Sequence, residues 1–396
     1  MPANILVLNA GSSSLKFQLY SMPEEKELFG GVSERIGTDE AVLHWHSSGE
    51  KIKEETFNGS ITDHASALRE IIRVLNDQEL IAKNDPDIIV HRVVHGGGYF
   101  DAPVLINEDV KNKISELSEL APLHNPVNLR CIEVMEELSP DTKQVAVFDT
   151  SFYHQLPEHA FRYAVDDKFY IKDHVRVYGF HGISHQYVIQ QAADFLQGGK
   201  AKLISMHLGN GCSICAVHEG KPVEISMGFG PVSGLVMATR SGDIDPSVVL
   251  HLMKKYGFDS EQMDEILNRE SGLKALCGMT DLRDIQKAVQ DGSKEAAFAC
   301  GLYAYRIRKY LGAYIAVMNG LDAIIFTGGV GENSTIIREL VCKEMDWFGL
   351  RLDEELNKKT LIKRRSLEAV DSRVKILVIP TNEELQMARQ AFSISG

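Results

Sequence analysis

The segment Asn4 to Tyr20, NILVLNAGSSSLKFQLY, constrains this chain more than any other. Ile5 to Leu8 is a short apolar run suited to a buried strand. Asn9-Ala10-Gly11-Ser12-Ser13-Ser14 then has the composition of a tight, hydroxyl-rich turn. Beyond it Leu15, Phe17 and Leu19 alternate with Lys16, Gln18 and Tyr20, a period of two, so the turn joins two strands. A Walker A loop, which opens a helix, is excluded. Two readings remain: an ordinary polar hairpin, or a hairpin whose backbone N–H groups, hydroxyls and Lys16 hold phosphate.

The pattern returns at mid-chain. Lys202 to His207 reads as a strand, Leu208-Gly209-Asn210-Gly211 as a glycine turn and Cys212 to Val217 as a second strand. A third apolar run, Asp322 to Thr327, leads into Gly328-Gly329-Val330-Gly331-Glu332-Asn333 and a helix capped by Asn333 or Ser334, which could cradle phosphate or ribose. Glycine clusters are weak signals singly, since glycine more often serves a turn. Three of them after three buried strands are harder to dismiss. Two half-molecules, each opening on such a hairpin, is the layout of the actin-like (ribonuclease H-like) α/β fold, with ATP in the cleft between two related domains. The first domain is expected over 1–150, completed by a last helix over 383–396, and the second over 151–382.

A length of 396 residues accommodates two such domains. The net charge of −13 argues against nucleic acid or anionic membrane as a partner, so anionic ligands would need local cations. No apolar run reaches the ~18 residues of a membrane span, and the chain starts directly on a strand, so a cytoplasmic location is expected. Cys212 and Cys215 have C-x-x-C spacing but lie on a strand with no second pair, which reads as structural thiols. His44 and His46 share a strand face and read as surface polar positions before metal ligands.

Several side chains stand where chemistry is done. Arg92 ends the strand that starts at Asp87 and precedes Gly96-Gly97-Gly98, a place for an anion clamp or an ion pair. His124 sits between Pro122 and Pro126 on a rigid loop. Asp149 lies just past the strand Val145 to Phe148, either as chemistry or as a helix cap. His181 and His185 have i,i+4 spacing without the glutamate of H-E-x-x-H, so a metal site is disfavoured and His181 reads as a hydrogen-bond donor. Arg240, on the turn-rich segment before Asp243 and Asp245, could stabilise a transferring phosphoryl group; helix-entry chemistry is the plainer account of that segment. A long apolar helix over 294–318 would serve domain packing or a dimer face. A last helix opening at Asn382-Glu383-Glu384 could bring Glu383 near Asn9, a carboxylate and an amide able to hold Mg²⁺ through water.

Together NAGSSSLKF, HRVVHGG, APLHNP, FDTSF, YGFHGISH, HLGNGCSI, GLVMATRSGDIDP, FTGGVGENS and PTNEE, in this order from Asn9 to Glu384, resemble the acetate kinase family. The resemblance implies reversible phosphorylation of acetate by ATP to acetyl phosphate and ADP, by direct in-line transfer with Mg²⁺ (Mn²⁺ as a substitute), in a homodimer. It implies that Arg92 binds the substrate carboxylate, with Val94, Leu123, Phe180 and Pro231 around its methyl group. Asn9 and Glu383 would position the metal, and Ser12, Ser14 and Lys16 would lie along the phosphate path. Asp149 would orient a metal-coordinated water or the substrate. His181 and Arg240 would stabilise the transferring group, with His124 in support. His207, Leu208, Gly209, Asn210 and Gly211 would line the phosphates. Asp281, Leu282 and Arg283, with Gly329, Val330, Gly331, Glu332 and Asn333, would hold adenosine and ribose.

The chain departs from the family's usual pattern at Tyr153-His154, at the short turn before Asp281, and at Ser233 and Ala238, none of which removes a proposed catalytic side chain. The rival readings are a propionate or butyrate kinase, a non-catalytic ATP-binding switch of the actin or Hsp70 type, and a sugar kinase. The switch would not need Arg92, Asp149, His181 and Arg240 together, and a sugar kinase would want polar partners where Val94, Leu123, Phe180 and Pro231 stand.

Overall fold

The opening hairpin forms as its alternation requires. β1 (Ala3–Ala10) pairs antiparallel with β2 (Ser14–Met22), from Ala3 opposite Met22 to Ala10 opposite Leu15. β1 is buried without alternation over its last six residues, as a strand covered on both faces must be, whereas Lys16 on β2 faces out between buried Leu15 and Phe17. The computed structural model describes residues 2–11, 13–49, 52–56, 61–77, 79, 86–196, 198, 200–359 and 364–394, so Ser12 lies outside the described residues. The chain divides into two compact units, 1–154 with 382–396, and 155–381.

In the first unit, β3 (Lys26–Glu34), β4 (Val42–Ser47) and β5 (Lys53–Thr56) extend the hairpin on one side. On the other lie β6 (Ile88–Val93), β7 (Val104–Leu105) and β8 (Lys143–Phe148), giving the order β5-β4-β3-β2-β1-β6-β8-β7. β6 runs parallel to β1 and to β8. Helices His64–Asp77 and Asn125–Leu138 bring Leu68, Ile71, Leu75, Val134 and Met135 into one core with Leu8, Phe17, Leu19 and Phe29 of the sheet. Asp63 caps the first of these helices, its carboxylate accepting from Ser66 N at 2.7 Å. His44 and His46 take up acidic neighbours on the sheet surface, Glu34 and Glu54 for the first and Glu27 for the second. Helix Asn125–Leu138 starts one residue before Pro126, with His124 at the N-cap position.

This unit contains two neutral buried histidines. His91 hydrogen-bonds Gln144 at 2.6 Å, and His95 Nδ1 accepts from Gly97 N at 3.0 Å. Burial holds both rings down to about 4, against 6.5 when unfolded. Between those values the unfolded chain binds more protons, so stability is full above pH 6.5, falls as pH drops through the window and levels off below 4. Each ring contributes at most about 3 kcal/mol to that loss. Urea midpoints measured from pH 7.5 to 4 are expected to fall accordingly; a flat profile would mean that the rings take up protons without cost.

The second unit repeats the plan. β9 (Lys202–Leu208) and β10 (Cys212–His218) form its hairpin, with β11 (Lys221–Ile225), β12 (Ala323–Thr327), β13 (Arg365–Ser366) and β14 (Lys375–Val378). Its order, β11-β10-β9-β12-β14-β13, matches β3-β2-β1-β6-β8-β7 strand for strand, with the same parallel and antiparallel senses. Helix Lys294–Met318 lays Ala299, Tyr303, Ile307, Leu311 and Tyr314 against this unit and leaves Phe298, Tyr305 and Val317 exposed. Cys212 and Cys215 are fully buried on β10, where burial pushes the first thiol up to about 11 and the second well above its ordinary value, so both are inert. Among the described residues no group of three or more His, Cys, Asp or Glu side chains is arranged to hold a metal, and no helix is long and apolar enough to cross a membrane.

The glycine segment after β12 differs from expectation. Gly328 to Asn333 is itself a short helix, and Ser334 caps the following helix, Thr335–Cys342, by accepting from Ile337 N at 3.1 Å. Gly328 sits at φ +75°, and a Cβ there would meet the Leu208 carbonyl oxygen at 2.7 Å. A side chain would therefore push the short helix off the end of β9.

Candidate functional site

Register places the polar groups of the first unit. Leu8 lies beside His91, and Val93 beside Phe148, so Asn9, Arg92 and Asp149 emerge together at the C-terminal ends of three adjacent parallel strands. That end is where α/β sheets carry their ligands. Arg92 grips Asp149 with two bonds, Nε to Oδ1 at 2.9 Å and Nη2 to Oδ2 at 2.6 Å, and donates from Nη1 to Asn9 Oδ1 at 3.1 Å. The side chains are 17% and 3% exposed. Burial works against the guanidinium charge, but Asp149, Glu383 and Glu384 outweigh it and keep Arg92 charged. Of the five N–H donors on a guanidinium three are engaged by described residues, so two remain among them for a ligand. Asp149 thus faces Arg92; it does not cap a helix.

Helix Glu383–Ile394 adds the carboxylates. Asn9 Nδ2 donates to Glu384 Oε1 at 3.0 Å, which adds Glu384 to the carboxylates beside Asn9. Burial raises Glu383 to about 7; Arg92 opposes that shift, Glu384 and Asp149 add to it, and Lys16 opposes. Three carboxylates therefore face two cations. This oxygen-rich, acidic set fits a hard divalent cation that keeps several waters and meets one or two carboxylates.

Two residues not singled out from sequence hold this region in place. Asn125 Oδ1 accepts from His95 N at 3.1 Å while its Nδ2 donates to His95 O at 3.0 Å, and Asn128 Oδ1 accepts from Val94 N at 3.2 Å. Both asparagines are buried, and their i,i+3 spacing at a helix start was the available signal. Val94 is buried, whereas Leu123 is 52% exposed. Tyr153 is buried and His154 reaches Gly97 O at 3.3 Å, so that departure from the family pattern is absorbed by packing.

In the second unit, donors converge on the turn after β9. A Cβ on Gly211 would lie 3.4 Å from His181 Nε2 and 3.6 Å from Arg240 Nη1, so both groups border the space above this glycine. His181 has φ +58°, a left-handed conformation that non-glycine residues adopt at a cost, immediately before helix Gly182–Leu196. Its ring stacks on His207 with centroids 4.4 Å apart. Arg240 is largely desolvated, which lowers its affinity for its proton. Among the described residues it has no carboxylate within 4 Å; its acceptors are Pro231 O at 3.5 Å and Met237 Sδ at 3.8 Å. The neighbouring aspartates are spent on structure. Asp243 takes Gly234 N and the Tyr310 hydroxyl, and Asp245 caps helix Pro246–Tyr256. Ser233 accepts from Gly228 N at 2.9 Å, and Phe180 is buried.

Beside this turn is a cavity of about 510 Å³, within the range of small-ligand sites. Gly209, Asn210, Asp281, Leu282, Arg283, Gly329, Val330 and Asn333, assigned above to phosphate, adenosine or ribose, line it together with Leu273, Thr280, Gln286 and Ser334. Gln286 follows Arg283 by three residues on helix Leu282–Gln290 and donates to Ser334 Oγ at 2.6 Å. Asp281 caps this helix and pairs with Arg283, which holds the carboxyl down to about 2. Glu332 turns elsewhere, accepting from Gly328 N at 2.9 Å and Thr381 N at 3.1 Å, and Gly331 O takes Arg338 Nη1.

Two α/β units on one repeated strand order, with a small-ligand cavity beside a guanidinium and an imidazole, define a kinase of the actin-like α/β class. The chain belongs to the acetokinase family, whose profile matches residues 4–389. It is 47% identical over 398 residues to the acetate kinase of Geobacillus kaustophilus, covering 100% of both chains. It is 44% identical to that of Flavobacterium johnsoniae over 98% of this chain and 99% of the relative. Among solved structures, Porphyromonas gingivalis acetate kinase superposes with a TM-score of 0.91 at 39% identity over 100% of both chains. A propionate kinase from Francisella tularensis gives 0.92 at 37% over 98% of each.

Proposed function

We propose that this chain catalyses the reversible, Mg²⁺-dependent transfer of the γ-phosphoryl group of ATP to acetate, giving acetyl phosphate and ADP. An acetate oxygen attacks the γ-phosphorus in line as the bond to the β,γ-bridging oxygen breaks and ADP leaves. Acetate is already an anion at neutral pH, so no base is needed; positioning and charge neutralisation are what the protein must provide. The N–H groups of Arg92 that no described residue engages hold the acceptor carboxylate, and Val94, Leu123, Phe180 and Pro231 are assigned to its methyl group. Asp149 keeps Arg92 oriented and faces the acceptor. Arg240 and His181 donate to the oxygens of the transferring phosphoryl, and the cavity from Gly209 to Ser334 takes the nucleoside. Glu383, Glu384 and Asn9 would hold Mg²⁺ through water. When bound, that ion neutralises phosphate charge.

Arg240 carries this reading furthest, as a largely desolvated guanidinium with no carboxylate partner among the described residues, beside His181 at Gly211. The test is a hydroxylamine-trapped acyl phosphate assay with Mg-ATP and acetate, propionate, butyrate and glycerol. Acetate is expected to be preferred, with propionate weaker because one methylene is worth only about 1–3 kcal/mol, and chelation should abolish turnover. A propionate optimum would change the acceptor and keep the mechanism. No acyl phosphate from any acid, with nucleotide still bound, would overturn the reading in favour of a non-catalytic switch.

A further inference from the structure

Behind His181 runs a buried chain of hydroxyls and imidazoles that the proposed reaction does not use directly. Ser213 on β10 is fully buried, and its Oγ lies 2.9 Å from His181 Nδ1 and 2.7 Å from His185 Nε2. His185, one helical turn after His181, is also fully buried, and its Nδ1 lies 2.6 Å from Ser205 Oγ on β9. Burial, with His207 adding, keeps the His185 ring neutral.

A neutral imidazole offers one donor and one acceptor, and a hydroxyl has one proton to give. The chain Ser205–His185–Ser213–His181 can therefore be filled in only one way if both hydroxyl protons are to be donated along it. If Ser205 donates to His185 Nδ1, then His185 Nε2–H donates to Ser213 and Ser213 donates to His181 Nδ1. The proton of a neutral His181 must then sit on Nε2. In the reverse direction the Ser205 hydroxyl proton is displaced from the chain, and among the described residues Ser205 Oγ has no other hydrogen-bond partner. Burying that O–H unsatisfied is costly, so the first direction is the stable one.

We propose that Ser213, backed by His185 and Ser205, is a positioning residue that fixes His181 as the Nε2–H tautomer, so that a donor always faces the space above Gly211. The inference rests on the reading of His181 as a donor to the transferring phosphoryl. It assigns a function to the conformational cost at His181, whose left-handed backbone accompanies a ring with Nδ1 on Ser213 and Nε2 beside Gly211.

The test combines kinetics with ¹⁵N NMR of histidine-labelled full-length protein, the His181 signals being assigned by their loss in His181→Asn. The wild type should show the Nε2–H tautomer. Ser213→Ala should give mixed or Nδ1–H shifts, with kcat lowered about 10- to 100-fold and KM for acetate and nucleotide little changed. Ser213→Thr, which keeps the hydroxyl, should restore both readouts. Ser205→Ala, which does not touch His181, should move the tautomer in the same direction and keeps the test available if Ser213→Ala fails to fold. An Nε2–H signature unchanged in Ser213→Ala and Ser205→Ala, or a kcat loss with no tautomer change, would overturn the proposal. The NMR readout needs no turnover, so a wild type that makes no acyl phosphate would sink the kinase reading and leave the relay to be judged by its shifts.

Discussion

Arg240→Ala is expected to lower turnover by about 1,000-fold or more while leaving nucleotide affinity nearly unchanged. The guanidinium does not line the cavity proposed for the nucleoside, and its Nη1 lies at Gly211 beside His181 Nε2. Its contribution should therefore appear where charge spreads over the phosphoryl oxygens. A second expectation concerns stability. Arg240 is desolvated and has no carboxylate partner among the described residues, so the folded state gains little from its charge. Removing it should leave the unfolding midpoint unchanged or slightly raised, as happens when a residue kept for activity is deleted. Turnover within tenfold of wild type, or a loss of nucleotide binding that parallels the loss of kcat, would remove the role.

Arg92→Ala should behave in the opposite way towards stability. The resemblance alone implies little more than weaker acetate binding. The geometry adds that Arg92 compensates a carboxylate that is 3% exposed, and that it is the principal charge opposing the rise of Glu383. Breaking such a pair from one side leaves a buried charge without a partner, at a cost of about 3–5 kcal/mol. The variant is thus expected to lose stability, acetate affinity and kcat together. Arg92→Lys separates these effects. An ammonium restores the charge and much of the stability, but it cannot span both Asp149 oxygens and Asn9 Oδ1 and still present a fork to a carboxylate. Its acetate KM should stay high while its urea midpoint recovers. A wild-type midpoint together with a wild-type acetate KM in Arg92→Ala would refute the account.

Much of this could be read from residue order. The alternation of Leu15, Phe17 and Leu19 announced a strand after the serine turn, and β2 is there. The restart at Lys202 announced a repeat, and the two sheets share one strand order. Eight of the residues expected around adenosine and phosphate line one cavity. What could not be read was pairing. Glu383 and Glu384 are adjacent acids at a helix start, and only the packing of that helix decides that Glu384 is the one bonded to Asn9. Asn125 and Asn128 are not singled out from sequence, yet their amides hold the main chain at Val94 and His95. The glycines after Thr327 read as a loop and are a helical turn, because Glu332 folds back to accept from Gly328 N.

The sequence by itself determined the strands, the turns between them, the repeat and the kinds of side chain brought to the sheet ends, because these follow from local periodicity and from glycine and hydroxyl chemistry. Only the tertiary structure decided which of those side chains neutralise one another and which stay poised for a ligand. Arg92 and Arg240 are the same residue type after similar signals, yet one is bound to Asp149 and the other has Asp243 and Asp245 turned away from it. That difference rests on distances of a few ångströms between segments far apart in the chain, and on how much water each charge has lost. Neither quantity is a property of a residue's neighbours in sequence.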